Sequence, residues 1–129
     1  MTLRILLVDD NQTFLLAVRQ YLDLLPGMAV IAEAHDGIDA LAQAAELAPD
    51  LILLDIAMPG MNGLDVARRV LTWPTPPEIV FLSMHDNAAY RDAALELGAR
   101  GYVGKADFVA ALLPILEQLA AEQALSERP

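Results

Sequence analysis

The chain contains no cysteine and few basic residues: 8 Lys and Arg stand against 18 Asp and Glu, which gives a formal net charge of −10 at pH 7. The missing cysteine excludes disulfides, thiol catalysis and zinc–thiolate sites. The shortage of Lys and Arg argues against nucleic-acid binding by this chain itself, because those side chains neutralise the phosphates. No uncharged apolar run of about 18 residues occurs, so we expect no membrane span. No small-residue cleavage site follows the N-terminal apolar run, so we expect no signal peptide.

What the chain does contain is apolar sequence, which makes up 56% of its 129 residues. That is ample for a hydrophobic core, so the composition excludes intrinsic disorder. The length predicts one domain.

Five short apolar runs alternate with segments of helical periodicity. Strands that alternate with helices of this length indicate βαβ units and an α/β fold with a parallel sheet. The first, third and fourth runs carry almost no polar residue inside them, which is typical of strands covered on both faces. The predicted strands are residues 3–8, 28–32, 51–54, 79–82 and 101–103.

The predicted helices have recognisable ends. Asn11 and Asp36 are suited to cap the first and second helices, and the third follows the glycine-rich segment 59–63. The fourth is predicted over 87–97, with Gly98 just beyond its end. The fifth runs from 107 to about 123, and Pro114 inside it should kink or split it, because the proline ring clashes with the carbonyl four residues back.

Polar residues follow the apolar runs at the points where the strands should end. Asp9 and Asp10 come after the first run, Asp55 after the third, Ser83 after the fourth and Lys105 just past the fifth. In an open α/β sheet, ligands bind outside the carboxyl ends of the strands. Three carboxylates there suit Mg²⁺, and a buried Asp beside a cation can be a nucleophile in aspartyl-phosphate chemistry. The only lysine of the chain would supply a compact counter-charge for a phosphoryl group.

These residues lie in four motifs, which are LVDDN at 7–11, LDIAMPGMNG at 54–63, LSM at 82–84 and GYVGK at 101–105. Together the motifs resemble the receiver domain of bacterial two-component response regulators, and the residues around them are most similar to the NarL/FixJ type. The resemblance covers residues 2 to about 123. It implies a flavodoxin-like, doubly wound (βα)5 sheet with strand order 2-1-3-4-5.

The resemblance also implies a role for each residue. Asp55 would accept a phosphoryl group from a histidine kinase, and Lys105 and Ser83 would contact that group. Tyr102 would change rotamer with Ser83 and alter the surface of the fourth helix, fifth strand and fifth helix. The cofactor would be Mg²⁺; its ligands would be Asp10, Asp55 and the Ala57 carbonyl, with Asp9 acting through water. Such a protein is a cytoplasmic signalling domain rather than an enzyme, although it promotes its own phosphorylation and dephosphorylation.

Three positions depart from the commoner family pattern. Ala57 places no polar side chain beside the site, and Met84 is larger than the residue often found there, so it could narrow the entrance. Ala106 replaces proline after Lys105, and a cis bond before a non-proline residue costs about 3–4 kcal/mol. The lifetime of an aspartyl phosphate and the geometry of the bond after Lys105 are therefore open.

Other functional interpretations fit the sequence less well. A flavodoxin-like nucleotide binder needs a Gly/Ser/Thr-rich phosphate loop, whereas the first strand here leads into Asp9 and Asp10. An Asp-nucleophile hydrolase would have a second Asp two residues after Asp55, where the chain has Ala57. A pseudo-receiver or a stand-alone receiver that acts only through protein contacts stays an alternative.

The expected domain organisation is a receiver over residues 1–124. Residues 125–129 would be a tail or the start of a linker to an output domain outside this sequence, which the NarL/FixJ resemblance predicts to bind DNA. The fifth helix carries apolar residues on more than one face. It therefore predicts a homodimer that phosphorylation strengthens.

Overall fold

The structure is a computed structural model that describes residues 2–84 and 87–126. Five strands alternate with five helices, and a single 3-10 turn at Lys105–Asp107 precedes the last helix. The strands are β1 (Leu3–Val8), β2 (Met28–Ala34), β3 (Leu51–Asp55), β4 (Glu78–Ser83) and β5 (Gly101–Gly104). The helices are α1 (Gln12–Asp23), α2 (Gly37–Leu47), α3 (Gly63–Val70), α4 (Ala88–Glu96) and α5 (Phe108–Ser126).

All strand pairs are parallel and the sheet order is β2-β1-β3-β4-β5, which confirms the predicted flavodoxin-like topology. Successive residues of a strand point to opposite faces of the sheet. Along β1, Leu6 and Val8 pack with α2, α3 and α4, whereas Ile5 and Leu7 pack with α1 and α5. Both faces are therefore covered, as the nearly unbroken apolar runs of β1, β3 and β4 predict.

β1 spans the predicted residues 3–8, whereas the other four strands are longer than the apolar runs that predicted them, and in β3 and β4 the extra residues matter for the site. Asp55 is itself the last residue of β3 and pairs with Leu82 in β4. Ser83 is the last residue of β4 and pairs with Gly104 in β5. An apolar run ends at the first polar residue, but in β3 and β4 the backbone pairing continues one residue further. The side chains of Asp55 and Ser83 are therefore held by the sheet.

The predicted caps of the first two helices are confirmed. The Asn11 side chain accepts a hydrogen bond from the Phe14 amide at 3.0 Å, and Asp36 accepts one from the Asp39 amide at 2.8 Å. Asn62 caps α3 in a reciprocal arrangement with Asp65. Gly98 follows the end of α4 with φ +89°, as its predicted position requires.

Of the two outcomes predicted for Pro114, a kink or a split, the split is wrong, because α5 is one helix over Phe108–Ser126, and the kink stays a prediction. Pro114 lies on the exposed side, while Leu112 and Leu116 on either side of it are buried against the sheet. Packing of that apolar stripe outweighs the local cost of proline in a helix, about 3 kcal/mol.

The C-terminal half of α5 is held to the sheet by Arg100, which precedes β5. Its guanidinium forms a two-pronged contact with Glu122 of α5, with Nη1 to Oε1 at 2.7 Å, and lies 3.6 Å from Glu78 of β4. This contact lowers the pKa of Glu122 to about 2. Gly101 admits the close approach of α5, since a Cβ there would lie 2.6 Å from the Cδ1 of Ile115.

Within the part of the chain that the structure describes, one helical stretch, Lys105–Ser126, is long and apolar enough by length and composition to cross a membrane. It contains α5, which packs on the sheet through Leu112, Leu116 and Leu119. The apolar character of this stretch is thus that of a helix that covers a sheet.

Candidate functional site

Three carboxylates meet at the carboxyl ends of two neighbouring strands. Asp9 follows β1 and is 2% exposed, Asp55 ends β3 and is 4% exposed, and Asp10 lies at the surface. The adjacency of β1 and β3 in the sheet brings together residues 46 positions apart in the sequence, and one oxygen of each group lies within 4.8 Å of the others. The sequence prediction that these residues share one site is confirmed.

The only lysine of the chain is the counter-charge of this cluster. Lys105 follows β5 and is 8% exposed. Its Nζ lies 2.6 Å from Oδ2 of Asp9 and 3.6 Å from Oδ1 of Asp55. One ammonium therefore pairs with two of the three carboxylates, and the closer ion pair is with Asp9.

Asp55 is the carboxylate whose ionisation is most opposed. Burial raises the pKa of Asp55 from its usual value near 3.8 to about 6, and repulsion from Asp9 adds to the effect of burial. Lys105 acts in the opposite direction and lowers the pKa of Asp55, but does not cancel the other two causes. The site thus holds excess negative charge at neutral pH, which an additional cation would relieve.

The donor set fits Mg²⁺. This ion takes oxygen ligands, binds through one or two carboxylates and keeps positions open for water and phosphate oxygens. The acidic triad Asp9, Asp10 and Asp55 offers such oxygens within the short span given above. It is typical of the Mg²⁺ site of receiver domains.

The segment after β3 is shaped by close backbone contacts. The Gly63 amide donates to the Ile56 carbonyl at 2.9 Å, and the Met58 amide donates to the same oxygen at 3.1 Å. A Cβ at Gly63 would lie 2.1 Å from the carbonyl oxygen of Asp55. Gly63 therefore allows α3 to begin directly against the backbone of Asp55. Sequence reasoning placed Gly63 in a motif but missed this contact, since spacing carries no information about it.

The predicted switch residues lie on the other side of Asp55. Ser83 is buried at the end of β4, and Tyr102 is half-buried in β5 with the Arg91 guanidinium 4.8 Å from its ring centroid. Both line a cavity of about 250 Å³ that Lys105 and Met84 also line.

The structure places all three departures from the family pattern, with Ala57 exposed just after β3. Met84 lines this cavity and is 75% exposed, and its effect on access to the site stays a prediction. Among residues 2–84 and 87–126 there is no cis peptide bond, so the bond between Lys105 and Ala106 is trans.

A family model for the response regulator receiver domain matches residues 5–116. The chain belongs to this family. A receiver is a phosphoacceptor signalling module, and the acidic pocket lies where the resemblance predicted it.

The most similar proteins include transcription regulators. The nitrate/nitrite response regulator protein NarL of Escherichia coli K12 is 39% identical over 124 residues, which cover 95% of this chain and 57% of NarL. A two-component response regulator of the LuxR family from Aurantimonas sp. SI85-9A1 is 34% identical with a TM-score of 0.87, covering 95% of this chain and 87% of that one.

A similar receiver segment also occurs beside a different output. A protein-glutamate methylesterase/protein-glutamine glutaminase of Myxococcus xanthus is 38% identical over 104 residues, which are 80% of this chain and 30% of that protein. The chain thus spans about half the length of NarL and less of the methylesterase. The receiver is one part of each of these relatives.

Proposed function

We propose that Asp55 is the residue that accepts the phosphoryl group from a histidine kinase. The observation that carries the proposal is the burial of Asp55 at the sheet edge with Asp9, Asp10 and the sole lysine around it. A carboxylate oxygen of Asp55 forms the new O–P bond, and the P–N bond of the kinase phosphohistidine breaks. The electron pair of that bond stays on the imidazole nitrogen.

The surrounding residues have separate proposed roles in binding Mg²⁺ and the phosphoryl group. Asp10, Asp55 and the Ala57 carbonyl are the proposed direct Mg²⁺ ligands, with Asp9 acting through water. Bound Mg²⁺ would neutralise charge on the phosphoryl oxygens. Lys105 supplies a second positive charge on the side of β5, and its short contact with Asp9 holds the ammonium ready within reach of Asp55.

Ser83 and Tyr102 are the proposed switch. The Ser83 hydroxyl, held at the end of β4, would donate a hydrogen bond to a phosphoryl oxygen that exists only after phosphorylation. A contact made in one state only is what shifts a two-state equilibrium. Tyr102, which lines the same cavity, would follow and change the surface formed by α4, β5 and α5.

The test of Asp55 is phosphorylation by acetyl phosphate, a small-molecule donor that needs no kinase. We expect Mg²⁺-dependent labelling of the chain, measured as a mass increase, and its complete loss in Asp55→Asn. Asp23→Asn, which removes an exposed carboxylate at the end of α1, is the matched control and should label normally. Labelling that persists in Asp55→Asn would place the acceptor elsewhere, and a chain that never labels would support the pseudo-receiver alternative.

We infer that residues 1–124 form the receiver and that 125–129 begin a tail or linker in a longer, cytoplasmic regulator of transcription. The lengths of NarL and of the methylesterase support a further domain, and the similarity to NarL and to the LuxR-family structure favours one that binds DNA. The length of the intact reading frame tests this, since a stop codon directly after Pro129 would leave the stand-alone receiver.

We also propose that phosphorylation strengthens a homodimer. Three leucines of α5 are buried against the sheet, whereas Val109 and Leu113 on the same helix are 52% and 36% exposed. Sedimentation should show a larger dimer fraction with beryllofluoride and Mg²⁺ than without, and Leu113→Gln should reduce it. A monomer in both states at high concentration would contradict the proposal.

A further inference from the structure

The ammonium group of Lys105 is held from a side that the carboxylates do not occupy. Its Nζ lies 4.6 Å from the centroid of the Phe14 ring. The face of an aromatic ring is electronegative and attracts a cation, most strongly where water is excluded. Lys105 is almost fully buried, so this contact acts where its strength is greatest.

Phe14 is fixed in place by the same segment that carries the acidic residues. The Asn11 amide donates to Oδ1 of Asp9 at 2.9 Å, and the Asn11 side chain accepts from the Phe14 amide at 3.0 Å. The turn from β1 into α1 therefore sets Asp9 and the start of the helix relative to each other. Phe14 and Asp9 approach Lys105 from one chain segment.

The ring of Phe14 packs against a second aromatic ring at the start of α5. Phe108, the first residue of α5, meets the Phe14 ring edge to face at a centroid distance of 5.4 Å. Tyr21 of α1 meets Phe108 in the same way at 5.6 Å, and its hydroxyl donates to the Val109 carbonyl at 3.0 Å. The cluster formed by Phe14, Tyr21 and Phe108 thus joins α1 to α5 beneath Lys105.

We propose that Phe14 is a positioning residue for Lys105 in the phosphoryl-transfer reaction, an inference that rests on the proposed function of this site. A lysine side chain has a flexible four-carbon stem and, alone, would not be held at one point between two carboxylates. The ammonium lies closer to Asp9, at 2.6 Å, than to Asp55, at 3.6 Å. The Phe14 ring face opposes free movement of the group and keeps it near the position that the phosphoryl oxygens must occupy.

The first experiment compares the rate of acetyl phosphate labelling in three variants. Phe14→Leu keeps apolar volume but removes the ring face, and should label about tenfold more slowly, the size of effect that a desolvated cation–π contact can supply. Phe14→Tyr keeps the ring and should label at nearly the native rate. Phe108→Leu removes a ring that packs on Phe14 while leaving the Phe14 ring itself in the chain, and serves as the packing control.

The outcomes separate positioning from simple packing. Equal rates for Phe14→Leu and the native chain would overturn the proposal, as would an equally slow Phe14→Tyr. The proposal would also be overturned if Phe108→Leu were labelled as slowly as Phe14→Leu at the same loss of unfolding free energy. Slow labelling confined to Phe14→Leu, with the unfolding free energies of the two leucine variants alike, would support it.

A second measurement does not depend on phosphorylation. Because Lys105 is the only lysine, its side-chain NMR signals are unambiguous. The methylene protons beside Nζ should be shifted upfield by the Phe14 ring in the native chain and in Phe14→Tyr, and this shift should be lost in Phe14→Leu. An unchanged spectrum in Phe14→Leu would overturn the proposal. A native chain with the shift but without labelling would instead count against the proposed function alone.

Discussion

Gly63→Ala is expected to lower the free energy of unfolding by about 3–5 kcal/mol, at the upper end of single-residue effects. The added Cβ would lie 2.1 Å from the Asp55 carbonyl oxygen and 3.0 Å from the Ile56 Cα. Both neighbours are backbone, so no side chain can rotate away. Either the end of β3 or the start of α3 must move, and the Asp55 carboxylate moves with it.

Two other glycines provide matched controls in a denaturant titration. Gly104→Ala adds a Cβ with nothing within 4 Å, and should change the unfolding free energy by no more than about 0.5 kcal/mol. Gly60→Ala also meets nothing, but its φ of +74° costs an alanine about 1–2 kcal/mol. The two controls thus separate the cost of a positive φ from the cost of a steric clash. A Gly63→Ala variant as stable as Gly104→Ala would contradict the contact between α3 and Asp55.

Asp55→Asn is expected to stabilise the Mg²⁺-free domain at neutral pH by on the order of 2–3 kcal/mol, although it abolishes labelling. The folded-state pKa of Asp55 is about 6 against a usual value near 3.8, and each pKa unit corresponds to about 1.4 kcal/mol. The folded state binds the proton more tightly than the unfolded state does. The native domain therefore loses stability as the pH rises from about 4 to above 6, and Asn removes that loss.

Denaturant titrations at pH 4 and pH 8, with and without Mg²⁺, check this prediction. The gain from Asp55→Asn should be largest at pH 8 and fall to about 0.5 kcal/mol at pH 4, because at pH 4 the carboxyl is protonated in the folded state and only partly ionised in the unfolded state. Mg²⁺ should stabilise the native chain more than the variant, since it binds the folded state. Asp23→Asn is the exposed control and should show neither effect. An Asp55→Asn variant that is less stable than the native chain at pH 8 without Mg²⁺ would contradict the prediction.

Both predictions concern features that the site needs but that limit the stability of the folded domain. The site needs a buried carboxylate crowded by Asp9, which costs stability while no cation is bound. The same site needs α3 to begin against the backbone of Asp55, which only glycine at position 63 permits. The rest of the sheet contributes fourteen apolar residues of β1, β3, β4 and β5 to the two buried clusters, and this packing offsets the cost of the site.

Much of the fold could be read from periodicity, because the strands are buried on both faces and the helices on one. The repeated apolar runs predicted five parallel strands, and the polar residues that end them predicted the site. Parallel strands bring their carboxyl ends to one edge, so Asp9, Asp55 and Lys105 were all expected at that edge. The family motifs then predicted the strand order that the sheet has.

The tertiary structure alone decided which of these residues contact one another, and how closely. It pairs Lys105 more closely with Asp9 than with Asp55, and it places the ring of Phe14 against Lys105 across 91 positions of sequence. It also keeps α5 whole across Pro114. Local patterns encode which face of an element is buried, whereas these features depend on how side chains from distant segments fit together in three dimensions.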